Sequence, residues 1–374
     1  MAEEVEVRVG EMPDRLPTVW PIDPHTEAKH FILRRHLGAW FPILSKWNQR
    51  IIYLDGFAGP GRYAGGEDGS PVIAIRTAAE HVVPLAREIL FYFIEVRPDR
   101  KEHLEKLLVE EFPDPPPNIR WIVSGAEFAD EMREVLDELE GEGLRLAPTF
   151  AFLDPFGFKG MPVEIVSRLL RHERCEAFIT FMEKFINRFS QTELHEEALD
   201  ELFGTPEWRK VRRLSDPEAR RSFLLGLYTA ELRKRVPNLL VRTFEMVDAS
   251  NQVLYYLVFA TKSAKGVGVM KEAMWAVDRT GSYRFSDRTD PAQKTLLDIE
   301  DEAAWIGPAA RVIHAKFREK LVSVSEVERF VVVETPFLFR KKILKRLEED
   351  GKIADVIGRK RRRTFPDGCL IQFI

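Results

Sequence analysis

Tyr53-Leu-Asp-Gly-Phe-Ala-Gly-Pro-Gly61 decides how this chain is read. Ile51, Ile52, Tyr53 and Leu54 make an apolar run that ends in Asp55, and a glycine-rich turn follows at once. Such a turn lets the backbone approach a bulky ligand where a Cβ would collide. A strand that stops at an acid beside a Gly-x-Gly loop is how doubly wound α/β domains hold a nucleoside at the carboxyl ends of their strands. Two further acidic strand ends follow in order, Glu95 and Asp154.

Working outward, strands and helices alternate. The first strand covers 50–55, and a helix begins at Gly69-Ser70-Pro71, with Ser70 as its cap and Pro71 in its first turn. Ile89-Leu-Phe-Tyr-Phe-Ile-Glu95 is apolar on both faces, as a central parallel strand should be. Then come a helix at 99–111, a strand at 119–123, an acidic helix at 127–139, a strand at 149–154, a helix at 162–171 and a strand at 177–181. Five β units separated by four helices imply a parallel sheet. Strands at 240–247 and 253–261, joined as an antiparallel hairpin, bring the expectation to an α/β, doubly wound, mostly parallel seven-stranded sheet.

The remaining segments set the domain plan. Residues 1–25 read as an irregular arm. Residues 26–47 place Phe31, Leu33, Leu37, Trp40 and Leu44 near helical spacing, with Thr26 as N-cap. The Rossmann-like domain is expected over 26–285, with a charged helical insertion at about 184–235 and a helix at 266–277. A linker at 286–302 leads to a separate domain at 303–374. There, two short helices, a helix from Phe337 to Glu349 and a hairpin around Pro366-Asp-Gly follow the plan of a winged helix.

Composition narrows the classes. A chain of 374 residues with 45% apolar content supplies more than one core. It has no apolar run of membrane-spanning length. The acidic N-terminus lacks a signal pattern, and two cysteines, Cys175 and Cys369, make neither a zinc site nor a disulfide framework, so a cytoplasmic protein without metal or membrane is expected. The net charge is −4, yet Pro336–Arg363 carries eleven Lys/Arg against four Asp/Glu, which leaves −11 for the remainder. Arg340, Lys341, Lys342, Lys345 and the run Arg359-Lys360-Arg361-Arg362-Arg363 form a candidate phosphate-binding patch for nucleic acid, RNA or DNA.

Asp55-Gly56-Phe57-Ala58-Gly59-Pro60-Gly61 departs from the Gly-x-Gly-x-x-Gly fingerprint of NAD sites. It resembles the first motif of class I S-adenosylmethionine (SAM) methyltransferases, in the Asp-x-Phe-x-Gly-x-Gly form found in nucleic-acid amino-methyltransferases. The likeness implies that Asp55, Gly56, Phe57, Ala58, Gly59 and Gly61 contact SAM, with the acid holding the ammonium of its amino-acid tail directly or through water. Glu95 stands where an acid accepts hydrogen bonds from ribose hydroxyls. Ala126 and Glu127 stand where adenine contacts would lie, although Glu127 also suits a helix N-terminus. Residues 62–69 lengthen the loop before the helix.

Asp154-Pro155-Phe156-Gly157 resembles the Asp-Pro-Pro-Tyr signature of enzymes that methylate exocyclic amines of bases, and more closely the Asp-Pro-Phe-Gly of tRNA guanine-N2 methyltransferases. In this reading Asp154 and the Pro155 carbonyl accept from the amine, and Phe156 stacks on the base. Lys29-His30 can reach the cofactor mouth or a phosphate, but a solvated helix face accounts for them more simply.

Together with Gly69-Ser-Pro71, Phe93-Ile-Glu95, Phe152-Leu-Asp-Pro-Phe-Gly157, Tyr256-Leu-Val-Phe-Ala-Thr261 and Met270-Lys271, these motifs are similar to the three-Cys-motif partner family, over roughly residues 26–285. That resemblance implies a methyltransferase-like protein working with a three-cysteine radical-SAM-like partner. Two functions compete: a SAM-dependent N-methyltransferase acting on an exocyclic amine of a nucleic-acid base, and a non-catalytic nucleic-acid adaptor that keeps a nucleotide pocket for that partner. A NAD-dependent oxidoreductase is disfavoured by the missing third glycine and the lack of a proton relay.

Overall fold

The computed structural model describes residues 17–278, 282–287 and 302–374. Residues 1–16 of the expected arm and 288–301 of the expected linker lie outside the described residues. The chain divides into two compact units: the first runs to Ser263 and takes in the strand at Arg284–Ser286, and the second begins at Ala264 and holds the C-terminal elements. Helix Ala264–Trp275 therefore groups with the C-terminal elements, although the sequence boundary at 285 places it before them.

In the first unit, strands β1 (Arg50–Asp55), β2 (Glu88–Ile94), β3 (Ile119–Ser124), β4 (Thr149–Leu153) and β5 (Glu176–Phe181) alternate with helices α1 (Pro24–Ser45), α2 (Ser70–Ala79), α3 (Pro98–Glu111), α4 (Phe128–Gly141) and α5 (Val163–Arg171). Strands β6 (Leu240–Val247), β7 (Val253–Thr261) and β8 (Arg284–Ser286) complete an eight-stranded sheet of order β3-β2-β1-β4-β5-β7-β6-β8. The pairs among β1 to β5 are parallel, β7 runs antiparallel to both β5 and β6, and β8 is parallel to β6. This is the doubly wound, mostly parallel α/β fold expected, with one strand more than the seven read from the sequence. Three residues are too few to show a period, but Phe285 is buried and Arg284 pairs with Glu245 at 2.7 Å, which fixes the added edge.

Every residue of β4 and β5 is buried, as strands covered on both faces require. Each phenylalanine there, such as Phe150 or Phe178, contributes about 1.5–3 kcal/mol by leaving water. Helices α6 (Glu183–Phe189), α7 (Glu196–Phe203) and α8 (Pro217–Arg235), with a 3₁₀ turn at Pro206–Arg213, form the helical insertion after β5.

Two caps differ from expectation. Helix α1 starts at Pro24, with Asp23 at the N-cap rather than Thr26, because proline's fixed φ and missing N–H suit the first helical position. Gly69, not Ser70, is the N-cap of α2, and Ser70 lies inside it.

The second unit contains α9 (Ala264–Trp275), α10 (Glu302–Phe317), β9 (Leu321–Ser323), α11 (Val324–Glu334), α12 (Lys341–Glu349), β10 (Ile353–Ile357) and β11 (Leu370–Phe373), with a three-stranded sheet of order β10-β11-β9. Ser323 and Glu326 form a capping box at the start of α11. Helix α12 starts at Lys341 rather than at Phe337. The buried Lys271 ammonium collects the carbonyls of Val331 at 3.0 Å, Thr335 at 3.0 Å and Phe337, and so holds this stretch out of helical geometry. Among the described residues no helix is long and apolar enough to cross a membrane.

Candidate active site

A cavity of about 230 Å³ opens at the carboxyl ends of β1, β2 and β4. Its wall includes Gly56, Phe57, Ala58, Gly59, Pro60 and Gly61 after β1, Glu95 after β2, Ala126 and Glu127 before α4, and Asp154, Pro155 and Phe156 after β4. All of these except Pro60 are site residues expected from the sequence, and the sheet brings them together. Asp55 and Gly157 are not part of the wall.

The glycine turn is shaped by packing as much as by any ligand. Gly61 has φ +80°, and a Cβ there would stand 2.6 Å from the Leu104 side chain. A Cβ on Gly69 would stand 2.8 Å from the Gly61 carbonyl carbon. The Gly69 amide donates to the Gly61 carbonyl at 2.8 Å, so the chain leaves and rejoins at one point. The longer loop between them is an excursion that leaves α2 in place. Arg62 and Arg76 both pair with Asp68 at 3.1 Å, and with Glu111 of α3 at 2.9 and 2.8 Å.

Asp55 is fully buried beneath the turn, within reach of the Tyr53 hydroxyl at 3.3 Å and the Phe57 amide at 3.4 Å. Burial pushes its carboxyl up to about 7, against the pull of hydrogen bonds from the Ser70 hydroxyl and the Phe57 amide. Glu95 accepts from the Gly59 amide at 2.9 Å and from the Arg97 amide at 2.8 Å, which ties the β2 end to the glycine turn. Burial raises its carboxyl too, opposed by those amides and by Arg100 and Arg97. Each oxygen keeps a lone pair for a further donor.

Phe156 is 56% exposed at the cavity wall, an aromatic face left open rather than packed into the core. The Gly157 amide donates to the Pro155 carbonyl at 2.9 Å, so that carbonyl already has one local partner.

Lys29 and His30 correct the simpler reading of α1 as a solvated face at this point. They are 4% and 6% exposed. The Lys29 ammonium meets Asp154 at 2.5 Å and stands 5.3 Å from the Tyr255 ring centre. Burial would raise the Asp154 carboxyl, but Lys29 holds it below its ordinary range. His30 lines the cavity, its Nδ1 enclosed without a hydrogen-bond partner among the described residues. Burial, helped by Lys29, lowers its pKa to about 3, so the ring is neutral.

Trp20, Tyr63 and Arg100 also line the cavity and were not expected there. Trp20 lies over Arg100 at 4.5 Å and edge-on to Tyr63 at 5.8 Å. Their signals are weak in sequence, because Trp20 sits in the proline-rich arm and Tyr63 in the lengthened loop.

The basic patch divides. Arg340 pairs with Glu272 at 2.5 Å, Lys341 with Asp367 at 3.0 Å, Arg359 with Glu348 at 2.7 Å and Arg363 with Glu349 at 3.8 Å. Lys342 and Lys345 are exposed on α12, and Lys360, Arg361 and Arg362 on the loop between β10 and β11. Among the described residues, no group of three or more His, Cys, Asp or Glu side chains could hold a metal ion. His36 instead faces Glu176 at 3.6 Å in the core.

No protein-family model and no curated protein matches the chain. Solved structures do. Trm1 from Pyrococcus horikoshii, in complex with S-adenosyl-L-methionine, aligns at 17% identity and a TM-score of 0.40 over 71% of this chain and 61% of its own length. A putative caffeoyl-CoA O-methyltransferase from Staphylococcus aureus aligns at 8% identity and a TM-score of 0.27, over 60% of this chain and 83% of that one. The SAH-bound Podospora anserina methyltransferase PaMTH1 aligns at 13% identity and a TM-score of 0.28, over 65% and 89%. The chain thus spans less than two thirds of the first of these.

Proposed function

We propose that the chain is a SAM-dependent methyltransferase that modifies an exocyclic amine of a nucleic-acid base. The observation that carries this is the meeting of Glu95, the glycine turn and Asp154-Pro155-Phe156 on one cavity, with Asp55 buried directly beneath the turn. These residues fit the cofactor. Asp55 is not on the wall, so a cofactor ammonium would act on its buried carboxyl across the turn rather than by direct contact, and would stabilise its charged form. Glu95 has lone pairs for ribose hydroxyls, and Ala126, Ile94 and Phe128 give an apolar wall to a purine.

When bound, SAM supplies an electrophilic methyl group on a sulfonium. The chain supplies position. Asp154 accepts a hydrogen bond from the amine and turns its lone pair toward the methyl, while exposed Phe156 offers a stacking face to a base that is extruded or single-stranded. Alignment of this kind is worth about 7–11 kcal/mol in favourable cases. The helix-helix-hairpin order of the second unit supports a winged-helix reading, with the exposed cations of the β10–β11 loop on phosphates. The family resemblance adds a three-cysteine radical-SAM-like protein as the expected partner.

The test is transfer of a labelled methyl group from SAM to bulk RNA and to bulk DNA. Wild-type protein is expected to label one of them, and Asp154→Ala to abolish labelling while keeping most of its SAM affinity. Unchanged labelling by Asp154→Ala would refute the assignment.

A further inference from the structure

Helix α1 precedes the Rossmann-type β1 in the chain, and the glycine turn and the strand-end acids of the site lie on other elements. It nevertheless places the Lys29 ammonium 2.5 Å from Oδ2 of Asp154, across 125 residues of sequence. Among the described residues, Lys29 is the only cation within ion-pair distance of that carboxylate. The other groups facing Asp154 are His30 from α1, Tyr53 and Asp55 from β1, Tyr63 from the loop, Thr180 from β5 and Tyr255 from β7, and Lys159 lines the same cavity. His30 is neutral, and Lys159, the further cation on the wall, makes no ion pair with Asp154 among the described residues.

We infer that Lys29 is a positioning residue for methyl transfer: it keeps Asp154 ionised in an enclosed site and engages Oδ2, which leaves Oδ1 as the acceptor for the substrate amine. The inference rests on the methyltransferase reading of the cavity and assigns a specific role to a residue that the sequence places only within reach of the cofactor mouth. A carboxyl in this position without its cation is driven toward the protonated form by burial and by the neighbouring Asp55. A protonated Asp154 would present a donor where the reaction needs an acceptor.

In the step itself the amine lone pair forms the N–C bond as the S–C bond breaks, and that bonding pair stays on sulfur. The nitrogen becomes cationic and sheds one N–H proton to water. Lys29 exchanges no proton; it acts only through Asp154.

The test compares Lys29→Met, Lys29→Arg, Asp154→Asn and the Lys29→Met/Asp154→Asn double variant, in full-length protein. Lys29→Met is expected to lower kcat about 100-fold near neutral pH, with SAM affinity within a few-fold of wild type. Its acidic limb should move to higher pH, so that alkaline conditions restore part of the rate, and Lys29→Arg should keep the wild-type limb. The Met substitution should add little further loss in the Asp154→Asn background. Carboxyl-carbon NMR of the free protein gives an independent readout: the Asp154 titration should move upward in Lys29→Met.

An unmoved Asp154 titration, losses that multiply in the double variant, or a pH profile that keeps its shape would each overturn the inference. If Lys29→Met does not fold, the double variant decides, because it buries no lone carboxylate: a double variant less active than Asp154→Asn alone counts against it. Wild-type protein that neither binds SAM nor transfers a methyl group would sink the underlying methyltransferase reading instead, whatever the NMR titration shows.

Discussion

Asp55 carries a proton into the neutral range because it is enclosed, and that has a measurable cost. Its carboxyl moves from an ordinary 3.8 to about 7 on folding, mainly through desolvation. Between those values the folded state binds more protons than the unfolded chain, so the stability linked to this group falls as pH rises from 3.8 and levels off above 7. Asp55→Asn removes the ionisation. Its stability relative to wild type should therefore grow from near pH 4 to near pH 8, by as much as about 4 kcal/mol. Denaturant unfolding across that range reads the effect, and a difference independent of pH would contradict it. Buried Glu183 titrates in a similar window but is common to both proteins and cancels. The acids at 55, 95 and 154 were legible because each closes an apolar run ahead of a glycine, a proline or a loop. Lys29 and His30 were within the sequence reading only as the less favoured alternative to a solvated face. A charged residue on an amphipathic helix reads as solvent-facing, and its buried partner comes from a strand end far along the chain.

At the scale of elements, long apolar runs declared themselves and short or locally paired ones did not. The alternation from β1 to β5 and the β6–β7 hairpin stand where periodicity places them. Strand β8, with three residues, takes its place from a buried Phe285 and a pairing edge on β6. The start of α12 depends on Lys271, whose carbonyl partners lie some sixty residues on. Residues 62–69 read as a lengthening of the loop before α2; the Arg62–Asp68–Arg76–Glu111 network pins that loop, while Arg62 and Tyr63 line the cavity. The basic segment was legible as charge only; which cations are free to meet phosphate depends on folded partners. Among the described residues, no ion pair is made by Lys360, Arg361 or Arg362, whereas Arg340 and Arg359 hold Glu272 and Glu348. Replacing Lys360, Arg361 and Arg362 together by alanine should flatten the slope of log affinity against log salt for nucleic acid by about 2–3. Fluorescence anisotropy over a salt series measures it, and an unaltered slope would remove this loop from the interface.

For the whole molecule, charge and chemistry are divided along the chain. The carboxylates of the cavity belong to the first unit, while the surplus of seven positive charges over Pro336–Arg363 belongs to a chain otherwise at −11. An anionic polymer is repelled by most of such a surface and drawn to one segment of it. A pocket for a cationic cofactor, by contrast, gains from buried acids. What the cavity binds therefore decides the proposed function. Calorimetric titration of the full-length protein with SAM tests this most directly. Saturable one-site binding with a Kd of roughly micromolar order is expected, weakened at least about tenfold, or about 1.4 kcal/mol, by Glu95→Ala. No saturable heat at millimolar SAM, or equal affinity in Glu95→Ala, would contradict it.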